Sequence, residues 1–244
     1  MTLENPLPGA IGLSHITPYD WTATDGVRGG SPHMHTACTE AYVVTAGKGA
    51  VQTLSPQGYH HTPLEPGTIA WFSPGTVHRV INEDGLKVTV LMQNSGLPEA
   101  GDAVFTFPAE ILADPERYAE AAALPAKEGP EAEKAARARR DLAIEGYLPI
   151  RDALRDGDPE PLRAFHAAAA RLVSGRVAAW RARWRDGALA AAERTGAHLD
   201  ALEKGDPTHL WQAAMNTTGP TRAAGCGMCG HRQEYEVPGV TLPA

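Results

Sequence analysis

The chain has 244 residues, 43% of them hydrophobic, which is enough to bury a sizeable core in one large domain or two small ones. Its 29 acidic and 22 basic residues give a net charge of −7, which argues against a general nucleic-acid-binding surface. Residues 1–6 lack the pattern of a signal peptide, and no apolar stretch approaches membrane-spanning length. Three cysteines are too few for a disulfide scaffold. We therefore expect a cytoplasmic protein whose partner is a small molecule.

The first hundred or so residues are typical of short strands separated by turns. Residues 11–17 alternate apolar and polar side chains, and residues 40–45 are rich in strand-forming types. Residues 47–49 predict a hairpin turn, with residues 50–54 as the return strand, and residues 83–85 predict a later turn. Turn signals at intervals of about eight to twelve residues indicate an all-β sandwich or barrel.

Three histidines and one glutamate in this region predict a metal site. His33 and His35 are two residues apart, so on a strand both side chains leave the same face. Glu40 follows after a gap that fits a tight bend, and His78 comes just after the Pro74-Gly75 turn. Three imidazoles and a carboxylate suit one divalent transition metal, such as iron, nickel, manganese or zinc. Part of the coordination sphere would stay open for water or substrate.

The full spacing resembles the two motifs of the cupin superfamily. The pattern is H-x-H, four residues, Glu, six residues, Gly, and later P-G-x-x-H-x-x-x-N, over roughly residues 10–96. It departs from the usual motifs only at Val27 and Ser73, where a glycine and a proline are customary. The resemblance implies a small antiparallel β-barrel, or jelly roll, with the metal inside. The residues matching the ligand positions are His33, His35, Glu40 and His78.

The inner wall of such a barrel is expected to be apolar and aromatic. If Glu40 points inward, the period of two places Tyr42 and Val44 inward as well. The candidate catalytic residues are therefore Glu40 and Tyr42. Glu40 is either a fixed ligand or one that leaves the metal to act as a base, and Tyr42 lies on the cavity wall. Lys87 is the one basic residue expected to face inward. Further wall residues are expected among Val80, Trp71 and Phe72.

The ligand set fits three kinds of function. A metal with open positions supports dioxygenase chemistry, and an apolar wall favours this reading. As a Lewis acid the same metal supports an isomerase, epimerase or lyase. The third kind is a non-catalytic small-molecule-binding or regulatory protein. The four ligands are common to all three, so the rest of the cavity must discriminate between them.

After Gly101 the composition shifts to Ala, Arg and Glu, which predicts a helical region. Asp-Pro steps at 114–115, 158–159 and 206–207 mark helix starts. An apolar stripe from Leu162 to Trp184 predicts packing against the barrel or against the second subunit of a homodimer. The expected helices span residues 115–123, 129–156 with a break near Pro149, 159–186, 188–203 and 207–215.

The C-terminal tail contains a C-x-x-C pair, Cys226 and Cys229, and then returns to a strand-like composition. The pair has three readings: a Gly-rich structural turn, half of a zinc site, or a redox pair. We favour the structural turn, with His231 to Val237 adding to the barrel sheet or covering its edge. The expected fold is thus mainly β. The expected divisions are a barrel at 1–110, a helical region at 111–220 and a tail at 221–244.

Overall fold

The computed structural model describes residues 7–125, 127–220 and 225–235. These residues form an antiparallel barrel-like sheet followed by helices, which confirms the expected fold class. The strands in this part of the chain are β1 Gly12–Pro18, β2 His33–His35, β3 Glu40–Ser55, β4 Gly58–Leu64, β5 Ile69–Phe72, β6 Val77–Met92, β7 Ala103–Phe105, β8 Gly225–Cys226 and β9 Gly230–Glu234.

Two long antiparallel strands, β3 and β6, organise the sheet. They pair from Glu40 opposite Met92 to Leu54 opposite Val77, with register shifts near Ala46 and Lys48. The predicted turns at 47–49 and 83–85 are therefore wrong, because both strands continue through these residues. Gly47 and Gly85 have φ values of 71° and 56°, and a Cβ on Gly47 would lie 2.2 Å from the Gly85 carbonyl oxygen. The glycines bend the two strands together at a bulge instead of reversing the chain.

The remaining strands attach to this pair. Strand β4 and strand β5 pair with β3, and β1 pairs with β6 on one edge and β9 on the other. Strand β2 lies between β6 and β7, which places His33 directly opposite His78. Strand β3 begins at Glu40 and β6 at Val77, so the first residues of both long strands lie close to the short strand β2.

Six α-helices occur in the described residues. The predicted break at Pro149 is wrong: the third helix is continuous, and packing of the fully buried Tyr147 offsets the hydrogen bond that the proline cannot donate. The predicted helix 159–186 is interrupted by a 3₁₀ turn at Ser174–Arg176, and of 207–215 only Thr208–Gln212 is helical, also as 3₁₀. The helices are α1 Ala109–Leu112, α2 Pro115–Ala122, α3 Pro130–Arg155, α4 Glu160–Val173, α5 Val177–Trp184 and α6 Ala190–Glu203.

The helical region shares one apolar core with the barrel. Leu162, Phe165 and Trp180 from the predicted stripe are buried in the same cluster as the barrel residues, whereas Trp184 is 40% exposed. The Tyr147 hydroxyl donates to Gln52 Oε1 on β3 at 3.1 Å. None of the helices in the described residues is long and apolar enough to cross a membrane.

The tail returns to the barrel as a hairpin of β8 and β9. Strand β9 adds to β1, with Gly230 opposite Pro18 and Glu234 opposite Ser14. Residues 236 and 237, which the sequence also assigns to this strand, lie outside the described residues, as do 221–224. The divisions at 110 and 220 stay predictions.

Candidate metal centre

The structure brings all four predicted ligands together inside the barrel. His33 and His35 come from β2, Glu40 from the first residue of β3, and His78 from β6. One donor atom from each lies within 4.8 Å of the others, and all four residues are buried. The assignment of these residues as ligands stays a prediction, but a buried His and Glu cluster of this kind can hold a metal ion.

Each histidine ring is oriented by a hydrogen bond at Nδ1. His33 Nδ1 donates to the Ser31 carbonyl at 2.9 Å and His78 Nδ1 to the Thr76 carbonyl at 3.2 Å. His35 Nδ1 donates to Asp102 Oδ2 at 3.0 Å. Because carbonyl and carboxylate oxygens only accept, Nδ1 carries the proton in each neutral ring. The Nε2 lone pair is then free for a metal.

Glu40 lies between two of these Nε2 atoms. Its Oε2 is 2.9 Å from His78 Nε2 and 3.2 Å from His35 Nε2. Despite the short distance, neither Glu40 Oε2 nor His78 Nε2 has a hydrogen bond of acceptable geometry. Buried polar atoms without a partner are rare in proteins. Two such atoms facing each other are what a site built to hold a cation between nitrogen and oxygen donors would show without the ion.

The electrostatics favour the metal-binding form of two of the ligands. Burial, followed by repulsion from His78 and His35, keeps the pKa of His33 well below its ordinary value, so this ring is neutral. Burial works against the Glu40 charge, but His78 and His35 hold the pKa of this carboxyl well below its ordinary value. At His35, burial is outweighed by Asp102 and Glu40, which raise the pKa to about 9. A metal must therefore displace a proton from His35.

Asp102 is a functional residue that the sequence analysis missed. Besides His35 Nδ1, its carboxylate accepts hydrogen bonds from the backbone N–H groups of Thr36 at 3.0 Å and Ala37 at 2.6 Å. Burial works against the Asp102 charge, but the hydrogen bond and positive charge of His35, followed by the Thr36 hydroxyl, lower the pKa of Asp102 to about 2, so it is ionised at neutral pH. No local pattern points to it, since 67 residues separate it from His35.

The predicted inner wall is only partly correct. Tyr42 is buried as predicted, and Phe72 stacks on His78 with ring centroids 4.7 Å apart. Trp71 is 71% exposed because it lies on the outer face of β5. The prediction that Lys87 faces inward is wrong: its side chain is exposed, while its neighbours Leu86 and Val88 are buried.

A cavity of about 280 Å³ opens beside His33, His35 and Glu40. Its apolar lining includes Ile16, Val90 and Met92. Besides Glu40, its charged lining consists of Arg139 from α3, Arg232 from β9 and Glu99. The basic residues near the centre thus come from the helical region and the tail, where the sequence analysis did not place site residues.

The tail also reaches the metal centre itself. Cys229 is buried, with Sγ 3.4 Å from the Tyr42 hydroxyl and 4.0 Å from His33 Nε2. Cys226 is half-buried and lines the same cavity. Within the described residues these two cysteines belong to no separate group of metal-binding side chains. Their role as a structural turn stays a prediction.

Residues 21–93 match the family model of the cupin domain. This part of the chain is a cupin domain. It contains all four predicted metal ligands, and a bound metal is common among cupins. The helices and the tail lie outside the matched residues. No curated protein sequence matches the chain.

Solved structures resemble about a third of the chain. One is a double-stranded β-helix protein from Klebsiella pneumoniae, with 19% identity over 34% of this chain and 64% of that one, and a TM-score of 0.26. A predicted oxalate decarboxylase from Thermotoga maritima has 15% identity over 34% and 63%, with a TM-score of 0.26. A TDP-quinovose 3,4-ketoisomerase from Campylobacter jejuni has 14% identity over 34% and 61%, with a TM-score of 0.28. The match spans less than two thirds of each.

Proposed function

We propose that this cupin protein is a metal-dependent enzyme acting on a small molecule that enters the cavity beside His33. One observation carries the proposal: donor atoms of three buried histidines and Glu40 lie within 4.8 Å of one another, and His33, His35 and Glu40 line a cavity of about 280 Å³. The ligands proposed are His33, His35, Glu40 and His78. The proposed metal is a single divalent iron, nickel, manganese or zinc ion.

An oxygen-using dioxygenase reaction is the first candidate. A bound transition metal would supply a Lewis acid and, if redox-active, a site for oxygen. The apolar residues Ile16, Val90 and Met92 line the cavity beside the proposed ligands, which suits a substrate with an apolar part. Burial, with Cys229 and Glu40 nearby, keeps the pKa of Tyr42 above its ordinary value, so its phenol stays protonated. Tyr42 can then donate a proton or a hydrogen bond, as expected of a catalytic residue.

A metal-assisted isomerase, epimerase or lyase reaction is the second candidate. Arg139 and Arg232 line the cavity, which favours a polar, charged substrate and weakens the argument from an apolar wall. In this chemistry Glu40, as an ionised carboxylate, would take a proton that Tyr42 or another acid returns. As a binding or regulatory protein, the chain would use the same four ligands but would not convert the bound molecule.

The experiment begins with elemental analysis of protein purified without chelators. The metal-loaded protein is then assayed against a panel of small aromatic and carboxylic compounds, in air and under nitrogen, with an oxygen electrode. Turnover with stoichiometric oxygen uptake supports the dioxygenase. Equal turnover under nitrogen supports the isomerase or lyase. A rise in thermal stability without turnover supports the binding role, and protein that retains no metal contradicts the whole proposal.

We also propose that the protein works in the reducing cytoplasm and as a homodimer. Its three cysteines are free thiols, which suits a reducing compartment. Ile69 and Trp71, at 59% and 71% exposure on β5, form an apolar surface suited to a second copy. Light scattering of the purified protein tests this, and a monomer at micromolar concentration would contradict it.

A further inference from the structure

Arg139 is a buried cation that the proposed metal chemistry does not use. It lies on α3 with 8% of its surface exposed, and it is one of the residues that line the cavity. Nη1 donates to the Ala122 carbonyl at 3.0 Å and Nη2 to the Gly227 carbonyl at 2.8 Å. Its Nε is buried and has no partner. In the described part of the chain no carboxylate lies within ion-pairing distance of it.

A buried guanidinium without a counter-ion is costly, because two carbonyl dipoles and the Phe105 ring, 4.9 Å away, do not replace the water and anions it has lost. Burial lowers the pKa of Arg139, yet arginine remains charged in proteins. An anion in the adjoining cavity would supply the missing counter-charge. Nη1 and Nη2 each keep a second N–H donor beyond these two bonds, and charged N–H donors of this kind suit a carboxylate.

The other charges in the cavity leave Arg139 uncompensated. Arg232 on β9 pairs with two carboxylates, Glu99 at 3.7 Å and Glu234, so both negative charges are directed to Arg232. Arg139 has no anionic partner of its own and would pair with a singly charged carboxylate, whereas a doubly charged phosphate would be repelled more strongly by Glu99. The volume, about 280 Å³, lies at the lower end of the range of about 300–1,000 Å³ typical of small-molecule sites.

We propose that Arg139, with Arg232 beside it, binds a carboxylate group of the substrate and directs the rest of that molecule toward the metal centre. The identity of the ligand as a substrate rests on the proposed function. The carboxylate site itself does not, because it depends on the cavity and the uncompensated guanidinium. Both arginines lie outside residues 21–93. The cupin domain would thus supply the metal ligands, and the helices and tail would select the substrate.

The test is calorimetric titration of the full-length protein, with and without bound Mn²⁺. The probes are acetate, lactate, pyruvate and succinate, their neutral amides, and inorganic phosphate, at constant ionic strength set with chloride. At least one carboxylate should bind and raise Tm, and its amide should not. Arg139→Gln should weaken the binding at least tenfold, and Arg232→Gln severalfold. Arg151→Gln, on the same helix with its guanidinium paired to Asp152, is the matched control and should bind like the wild type.

Folding of each variant is checked by circular dichroism. Arg139 also holds two carbonyls, so Arg139→Gln could fail to fold. In that case the test rests on two other variants: Arg139→Lys, which keeps the charge, and Arg232→Gln, which lies on the half-exposed tail strand. No binding of any carboxylate up to 50 mM, or binding equal in all variants, would overturn the inference. Phosphate binding in place of carboxylate would overturn its chemical class. The His33→Ala/His78→Ala variant separates the two proposals: carboxylate binding that persists there without metal supports this site even if the metal chemistry fails.

Discussion

Asp102 and His35 form a buried carboxylate–imidazole pair, with Oδ2 accepting the Nδ1 proton at 3.0 Å. The other carboxylate oxygen is held by the backbone N–H groups of Thr36 and Ala37, directly after His35 in the chain. The pair therefore fixes both the ring and the backbone of β2 relative to the end of the barrel. A histidine held in this way presents Nε2 to the metal centre with a defined tautomer.

The first prediction is that Asp102→Asn weakens metal binding by about 10- to 100-fold. Because two N–H groups donate to Oδ1, the amide oxygen should take that position and the amide NH₂ should then face His35 Nδ1–H. Two donors would oppose each other, and His35 would change tautomer or turn away. Competition with a fluorescent chelator measures the affinity, and the exposed Asp84→Asn is the control. Unchanged affinity in Asp102→Asn would show that the pair does not serve the metal.

The second prediction concerns the ligands themselves. His33→Ala combined with His78→Ala should remove most bound metal, because two of four donors are lost. The barrel should stay folded, since its core is formed by apolar residues of the long strands β3 and β6. Elemental analysis and circular dichroism measure the two outcomes, with the exposed His61→Ala as a control. Full metal retention in the double variant would refute the assignment.

The grouping of the four proposed ligands could be predicted from the sequence, because it follows from strand periodicity and from the spacing of the motif. A spacing of two residues on a strand places His33 and His35 on one face, and the motif links Glu40 and His78 to them. Asp102 and Arg139 could not be predicted in this way. They reach the site through tertiary packing, 67 residues from His35 in the first case and from a helix outside the cupin domain in the second.

The errors in the fold have a similar cause. A glycine in a strand pattern is compatible with either a hairpin turn or a β-bulge. At Gly47 the choice depends on the pairing of β3 with β6 near Gly85, which the local sequence does not contain. A proline inside a helix usually breaks it, and the sequence therefore predicts a break at Pro149. Helix α3 nevertheless continues through Pro149, because its packing against the barrel outweighs this local preference. In each case a long-range contact outweighs the local preference.

The third prediction is that residues 1–110 do not form a stable monomer. Such a fragment loses β9 from the edge of β1 and the Tyr147 hydroxyl from Gln52. It also exposes the apolar surface that Phe165 and Trp180 cover. We expect aggregation or a molten state on size-exclusion chromatography. A soluble, cooperatively unfolding monomer would instead make the barrel an independent domain.

The fourth prediction concerns a buried ion pair away from the site. Arg79 Nη1 lies 2.5 Å from Asp25 Oδ2, and the Arg79 side chain has no exposed surface. Burial works against the Asp25 charge, but Arg79 holds the pKa of this carboxyl below its ordinary value. Asp25→Asn leaves the guanidinium unpaired and should lower the free energy of unfolding by about 3 kcal/mol at pH 7.

The loss of unfolding free energy in Asp25→Asn should depend on pH, because folding lowers the pKa of Asp25. A carboxyl whose pKa is lowered by folding stabilises the protein fully above its unfolded pKa, about 4 for Asp, and loses this contribution as the pH falls through the folded value. The difference between wild type and Asp25→Asn should therefore shrink below about pH 4. Urea unfolding across this range measures it, with the exposed Asp200→Asn as the control. A difference independent of pH would mean that the carboxylate charge is not the cause.

The last prediction concerns Cys226 and Cys229. Cys229 Sγ lies 4.0 Å from His33 Nε2 and touches the Tyr42 hydroxyl, and burial raises the pKa of its thiol to about 12. A protonated thiol is a poor metal ligand and a poor nucleophile. We therefore expect the pair to fill space where the tail joins the barrel.

Changing both cysteines to serine should leave metal content and activity unchanged while lowering the free energy of unfolding by about 1 kcal/mol. Cys226→Ser alone is the matched control, because this residue is only half-buried and should contribute less. Elemental analysis, activity with and without dithiothreitol, and urea unfolding measure the three quantities. Loss of one zinc with the main metal intact would establish the zinc reading, and activity that depends on dithiothreitol in the wild type alone would establish the redox reading. Loss of the main metal with Cys229→Ser would make this thiol a fifth ligand, delivered to the cupin domain by the tail.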